Sequence, residues 1–145
     1  MTTAIDPTIK NAIPHRPPML LVDRIVERNE QRIVCEKTFS ADEFFFQGHY
    51  PGAPIVPGVI LCESAMQAGA ILLSSHVAGE AGVPVATRLN DVKFKQVVRP
   101  GDKVVMEVVL RERLADAFFL SAKVRSREKI AARLDFACTL AKVDS

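Results

Sequence analysis

Residues 47–77, QGHYPGAPIVPGVILCESAMQAGAILLSSHV, decide the fold. From Val59 to Leu73 the stretch is apolar on nearly every helical face, interrupted by Glu63, Ser64 and Gln67. A helix of that kind must be enclosed on most sides rather than lie on a surface. It falls short of the roughly 20 apolar residues that span a bilayer, so it is a core helix. Pro57 or Gly58 suits the first helical position, and Gly79 and Gly82 supply the stop, giving a helix over about residues 59–77. Small residues at Ala65, Ala68, Gly69 and Ala70 let another backbone come close.

The segment before the helix is fixed by prolines and glycines. Pro54 and Pro57 cannot donate backbone hydrogen bonds, Gly48, Gly52 and Gly58 permit tight or left-handed turns, and Tyr50 before Pro51 is expected to be extended. His49 therefore belongs to a stiff loop. Next comes a helix N-terminus with unpaired amides around Gly58, then Glu63 in the apolar company of Leu61, Cys62, Ala65 and Met66. A stiff loop followed by a helix running away from it argues against a direct contact between His49 and Glu63 of one chain.

Working outward, residues 5–11 suit a short helix or turn, and IPHRPPM at 13–19 is too proline-rich for a strand or helix interior. Residues 20–26 and 32–39 read as two strands separated by the polar tetrad Arg28, Asn29, Glu30 and Gln31. Residues 42–46 suit a helical turn with Phe44, Phe45 and Phe46 packed inward. Beyond the core helix, residues 85–94, 103–113, 117–127 and 129–143 read as four strands, with turns at 99–102, 114–116 and near Arg127 and Glu128. In the last strand Ile130, Ala132, Leu134, Phe136, Cys138 and Leu140 alternate with Arg133, Asp135 and Thr139, so one sheet face is buried. Two strands, an enclosed helix and a run of antiparallel strands make an α+β layout with a curved sheet around a helix.

With 145 residues and a net charge of +2, the chain is expected to form one domain, 1–145, and not to bind nucleic acid. The first ten residues carry no secretory signal pattern and no span crosses a membrane, so the expected location is cytoplasmic. Cys35, Cys62 and Cys138 lack the spacing of a disulfide framework or zinc cluster and read as reduced, buried thiols. A nucleophilic pairing of Cys62 with a histidine is conceivable, but a free thiol in an apolar helix is ordinarily core. His15 and His76 have no metal-ligand spacing with His49 and are expected to be solvated or capping.

A histidine, an acid and a helix N-terminus suit removal of a proton beside a thioester carbonyl with loss of a β-hydroxyl. That reaction needs a base, an acid carrying its proton, and a donor to the enolate-like oxygen. His49, Glu63 and the Gly58 amide can supply them in that order.

The stretches IPHRPPMLLVDRI (13–25), FFFQGHYPGAPIVPGVILCESAMQ (44–67) and LNDVKFKQVVRPGD (89–102) closely resemble, in order and spacing, bacterial 3-hydroxyacyl-acyl carrier protein dehydratases of fatty-acid elongation. The resemblance runs from Ile13 to the C-terminus, and its core, GHYPGxPxxPGVxxxE, is specific. It implies the hot dog fold, a long central helix wrapped by a curved antiparallel sheet. It also implies that His49 and Glu63 are catalytic and that the Gly58 amide polarises the thioester carbonyl. Gln67, one turn after Glu63 on the same face, matches a family glutamine near the acid. Val59, Gln67 and Phe94 are expected to bind substrate. No metal, flavin or nucleotide is implied. Tyr50 where phenylalanine is usual, Ala53 where a larger residue is frequent, and Cys62 and Ser64 flanking the acid depart from the family pattern and touch packing.

The implied partner is an acyl carrier protein with a phosphopantetheine-linked acyl chain. The implied assembly is a homodimer with His49 and Glu63 supplied by different subunits, gathered into a trimer of dimers. The basic residues Arg88, Lys93, Lys95, Arg99 and Lys103 form either a solvated strand face or, through Lys95 and Arg99, a docking surface for that acidic carrier. Three other readings stay open: a hot dog thioesterase, a hydratase or dehydratase acting on acyl-coenzyme A, and an acyl-binding protein without turnover.

Overall fold

The Asp6 carboxylate accepts the Thr8 amide at 3.0 Å and, with Pro7 at the first helical position, starts a short helix, α1 (Pro7–Ala12). Residues 5–142 are described in the computed structural model. After α1 come β1 (Arg24–Arg28), β2 (Arg32–Thr38), a 3-10 turn (Phe44–Gln47), α2 (Gly58–Ser74), β3 (Val83–Phe94), β4 (Lys103–Leu114), β5 (Ala117–Ser126) and β6 (Lys129–Ala141). The strands form one antiparallel sheet in the order β1-β2-β4-β5-β6-β3. α2 packs against strands from across it. This is the α+β hot dog layout. Val143, expected to end the last strand, lies outside the described residues.

Enclosure of α2 follows from its composition. Ile71, Leu72 and Leu73 are fully buried, each contributing roughly 1.5–3 kcal/mol of transfer free energy. Gly69 lets the sheet approach: a Cβ there would lie 2.7 Å from the Phe136 ring. The helix stops at Ser74, three residues earlier than its apolar run suggests. The Arg28 guanidinium donates to the Ile71 carbonyl at 2.7 Å, and the amides of His76 and Val77 both turn back onto the Leu73 carbonyl. A cation from β1 thus closes the negative end of the helix.

The hairpins follow turn chemistry. Arg127 and Glu128 both adopt positive φ between β5 and β6, the two-residue geometry that matches strand twist. Ala115 has φ 55° in the β4–β5 turn.

Three expectations are corrected. The first strand is Arg24–Arg28, not residues 20–26, because the backbone of Leu20 to Val22 packs onto α2 instead of entering the sheet; Leu21 donates its amide to Gln67 Oε1 at 2.8 Å. Phe44 is exposed, whereas Phe45 and Phe46 are buried, since a 3-10 turn cannot turn three successive side chains to one side. Tyr50 is not extended but left-handed, with φ 53°. Gly48, Gly52 and Gly58 in turn lie outside the left-handed region, so the loop's unusual backbone falls on Tyr50. Among the described residues, no helix is long and apolar enough to cross a membrane.

Candidate active site

His49 hangs on a loop fastened at both ends. Gly48 donates back to Phe45, Ala53 closes a turn onto Tyr50 at 2.9 Å, and the buried Val56 donates to the Val98 carbonyl at 2.7 Å. The imidazole is fixed inside that frame: Nδ1 lies 3.0 Å from the Ile55 carbonyl. A carbonyl only accepts, so Nδ1 carries a hydrogen, and in the neutral imidazole the lone pair is then on Nε2. The Tyr50 ring stands edge-on to the imidazole at 4.7 Å, held there by the left-handed backbone at Tyr50. Strain beside a chemically competent side chain is a recurring property of functional loops.

The helix N-terminus lies immediately downstream. Pro57 is the N-cap and offers no side-chain acceptor; the amides of Ile60 and Leu61 reach the Pro57 carbonyl, whereas those of Gly58 and Val59 make no hydrogen bond among the described residues. Two free donors thus mark the positive end of α2. Glycine at 58 also makes room for an aromatic ring, a reason other than turn geometry. A Cβ there would lie 2.7 Å from the Phe94 ring, so the residue is set by close approach of an aromatic face. Phe94 and Val59, expected to bind substrate, are both near this helix end, and Val59 is 71% exposed.

Glu63 belongs to a different pocket. It lies five positions after Gly58, a rise of about 7.5 Å and a rotation of about 140° around the axis. Its carboxyl borders a cavity of about 260 Å³ lined by His15, Met66, Gln67, Ala70, Val85 and Cys138 among others, and His49, Gly58 and Phe94 are not part of that lining. Gln67, 1% exposed, donates through Nε2 to Glu63 Oε2 at 2.9 Å and to the Met19 carbonyl at 2.8 Å, while its Oε1 accepts the Leu21 amide. It is both a strut to the proline-rich leader and the group that orients the acid.

The His49 loop with Gly58 and the pair Glu63 and Gln67 thus form two separate clusters in the chain. His15, expected to be solvated or capping, instead stands beside the acid: its Nε2 is 3.7 Å from Glu63 Oε2. Only its place in the IPHRPPM stretch could have pointed there. His76 ties the turn after α2 to the Glu30 carbonyl at 2.6 Å, as a capping side chain would.

The thiols are poor nucleophiles. Burial pushes Cys62 up from its ordinary range, Cys138 up to about 11 and Cys35 up to about 12. With all three buried and His49 committed to Ile55, the Cys62–histidine pairing has no geometric support.

Lys95 and Arg99 are both exposed and make no ion pair among the described residues, whereas Lys103 lies 3.6 Å from Glu36. They flank the segment whose Val98 carbonyl holds the His49 loop.

A family model described as "FabA-like domain" matches residues 13–132. The chain is 36% identical over 138 residues to a 3-hydroxyacyl-[acyl-carrier-protein] dehydratase of Syntrophobacter fumaroxidans, covering 94% of each chain. It is 42% identical over 124 residues to the protein of the same name from Pseudothermotoga lettingae, covering 86% of this chain and 87% of that one. In three dimensions it is similar to a chain of the dehydratase heterocomplex ApeI:P from Xenorhabdus doucetiae, with TM-score 0.79 at 14% identity over 92% of this chain and 91% of that chain. At that identity the likeness concerns the fold.

Proposed function

The chain belongs to the FabA-like domain family, and from that premise we propose that it is a hydro-lyase converting (3R)-3-hydroxyacyl-acyl carrier protein to trans-2-enoyl-acyl carrier protein and water in fatty-acid biosynthesis. The observation that carries the chemistry is the Nδ1 hydrogen bond of His49 to Ile55, which leaves Nε2 as a base on the loop that ends at the free Gly58 amide. Nε2 takes the C2 proton of the substrate. Charge moves onto the thioester oxygen, where the Gly58 N–H and the positive helix end stabilise it. Protonated Glu63 gives its proton to the C3 hydroxyl as the C3–O bond breaks. Water leaves, the C2=C3 double bond remains, and the proton on His49 returns through solvent to Glu63. No cofactor enters these steps.

A complete site needs His49 of one chain and Glu63 of another. Support comes from β3, an edge strand of 12 residues whose outer side pairs with no strand among the described residues and which exposes Leu89 and Phe94. A long exposed edge invites pairing with another strand, and a two-fold axis would pair β3 with its own copy. The bare apolar surface at Val59 and Phe94 would then be covered and the acyl chain would bind along it with Gln67 at the Glu63 side. We take the chain as one hot dog dehydratase domain, 1–145, acting in the cytoplasm as a homodimer that gathers into a trimer of dimers.

Lys95 and Arg99 dock the acidic carrier in this reading. Reversing both charges is expected to raise KM for carrier-linked substrate about tenfold and leave a short free thioester unchanged. An equal effect on both substrates would remove the docking role.

The reaction itself is tested by following enoyl-thioester absorbance with carrier-linked and coenzyme A-linked 3-hydroxyacyl substrates beside a thiol reagent. Enoyl formation without thiol release supports dehydration. Thiol release without enoyl product would make the protein a thioesterase, and turnover confined to coenzyme A substrates would change the partner.

A further inference from the structure

The leader that precedes β1 is built around His15. Arg16 donates to the Ile13, His15 and Lys10 carbonyls at 2.9, 2.7 and 2.9 Å, clamping the backbone that leads up to and includes the histidine. Further along, Gln67 holds Met19 and Leu21 against α2. Between these fastenings the imidazole enters the Glu63 cavity, with side-chain exposures of 29% for His15 and 27% for Glu63. Its Nδ1 is buried without a hydrogen-bond partner among the described residues. Burying an unpaired ring nitrogen is unfavourable. The ring orientation is therefore not explained by satisfaction of Nδ1, and the nitrogen with a polar neighbour is Nε2, on the side of Glu63.

Both neighbours of the acid lie toward the same oxygen. Gln67 Nε2 donates to Glu63 Oε2 at 2.9 Å and His15 Nε2 is 3.7 Å from that atom, while Oε1 makes no hydrogen bond among the described residues. Resting on the dehydratase reading above, we propose that His15 is a positioning residue for Glu63: with Gln67 it marks Oε2 as the accepting oxygen, so that the transferable proton rides on Oε1.

The consequence is chemical as well as geometric. When the Oε1–H bond breaks and the leaving hydroxyl takes the proton, negative charge spreads over both carboxylate oxygens. Donors already aimed at Oε2 then bind more strongly than they did to the neutral acid. At 3.7 Å the His15 contact is too long for a hydrogen bond before reaction. Such contacts tighten as charge develops. An interaction that strengthens only along the reaction raises kcat and leaves substrate binding nearly alone.

The test uses the full-length enzyme with His15→Leu, which removes the donor, and His15→Gln, whose Nε2 can restore it. His15→Leu is expected to lower kcat by about 10- to 100-fold with KM within about threefold, and His15→Gln to recover to within about fivefold of the parent. Thermal midpoints of the two variants should match. Unchanged kcat in His15→Leu, or equal losses in both variants, overturns the role. A second measurement does not need turnover: the infrared carboxyl band assigned to Glu63 by subtraction of the Glu63→Gln spectrum should shift in His15→Leu and return in His15→Gln. A static band overturns the contact. A shifted band in an enzyme that forms no enoyl product upholds the contact and removes only the dehydratase reading.

Discussion

His49→Ala is expected to lower kcat about 1000-fold, a barrier increase of about 4 kcal/mol, with the fold retained. Among the described residues the side chain makes one hydrogen bond, to Ile55, and its loss costs stability only about 1 kcal/mol. The loop keeps its other fastenings, from Val56 to Val98 and from Ala53 to Tyr50. What disappears is the Nε2 lone pair; His76 is held at Glu30, and His15 stands on the acid's side of the site, beside Glu63. Enoyl absorbance measures the loss, and exchange of the substrate C2 hydrogen with solvent identifies its cause. The alanine variant should abolish exchange together with elimination. Exchange at the parent rate would show that another group removes the proton.

Glu63→Gln is expected to lower kcat by a similar factor, about 1000-fold, for a different reason. The amide is nearly isosteric, and its oxygen can accept from Gln67 Nε2 where the carboxylate did, so the strut to Met19 and Leu21 survives. It has no acidic proton to give. The deficit should therefore depend on the leaving group. A substrate carrying fluoride at C3, which departs without prior protonation, should recover much of the lost rate in Glu63→Gln and none in His49→Ala. If the fluoride and hydroxyl substrates are slowed equally, Glu63 is not the acid.

Much of this arrangement can be read before any coordinates. The enclosed helix follows from apolar residues on nearly every face between Val59 and Leu73, and β6 from the alternation through Ile130, Leu134 and Phe136. Those patterns are local, and local period is what a sequence displays. The leader is different. Leu20, Leu21 and Val22 have the composition of a strand, yet their partner is Gln67, 46 residues away from Leu21, and nothing nearby encodes that contact. His15 was hidden for the same reason, since its neighbour Glu63 lies beyond two strands and the His49 loop. Gly58 was legible as a glycine but its cause was not: the Phe94 ring against its Cα comes from a strand that has not yet begun. Tyr50 defied the usual restriction before proline because the loop is held on both sides and the strain falls between.

In the proposed assembly, activity is a property of the pair of chains. His49→Ala and Glu63→Gln homo-oligomers should each be nearly inactive, but subunits of the two variants, co-refolded in equal amounts, should not be. Half of the dimers would combine one of each, and each such dimer would regain one site containing native His49 and native Glu63, giving about a quarter of the parent activity. Recovery of enoyl formation to that level is the result expected of sites completed across a dimer. No recovery, with mixed dimers demonstrated by mass spectrometry, would mean that each chain carries its own complete site and would contradict the account.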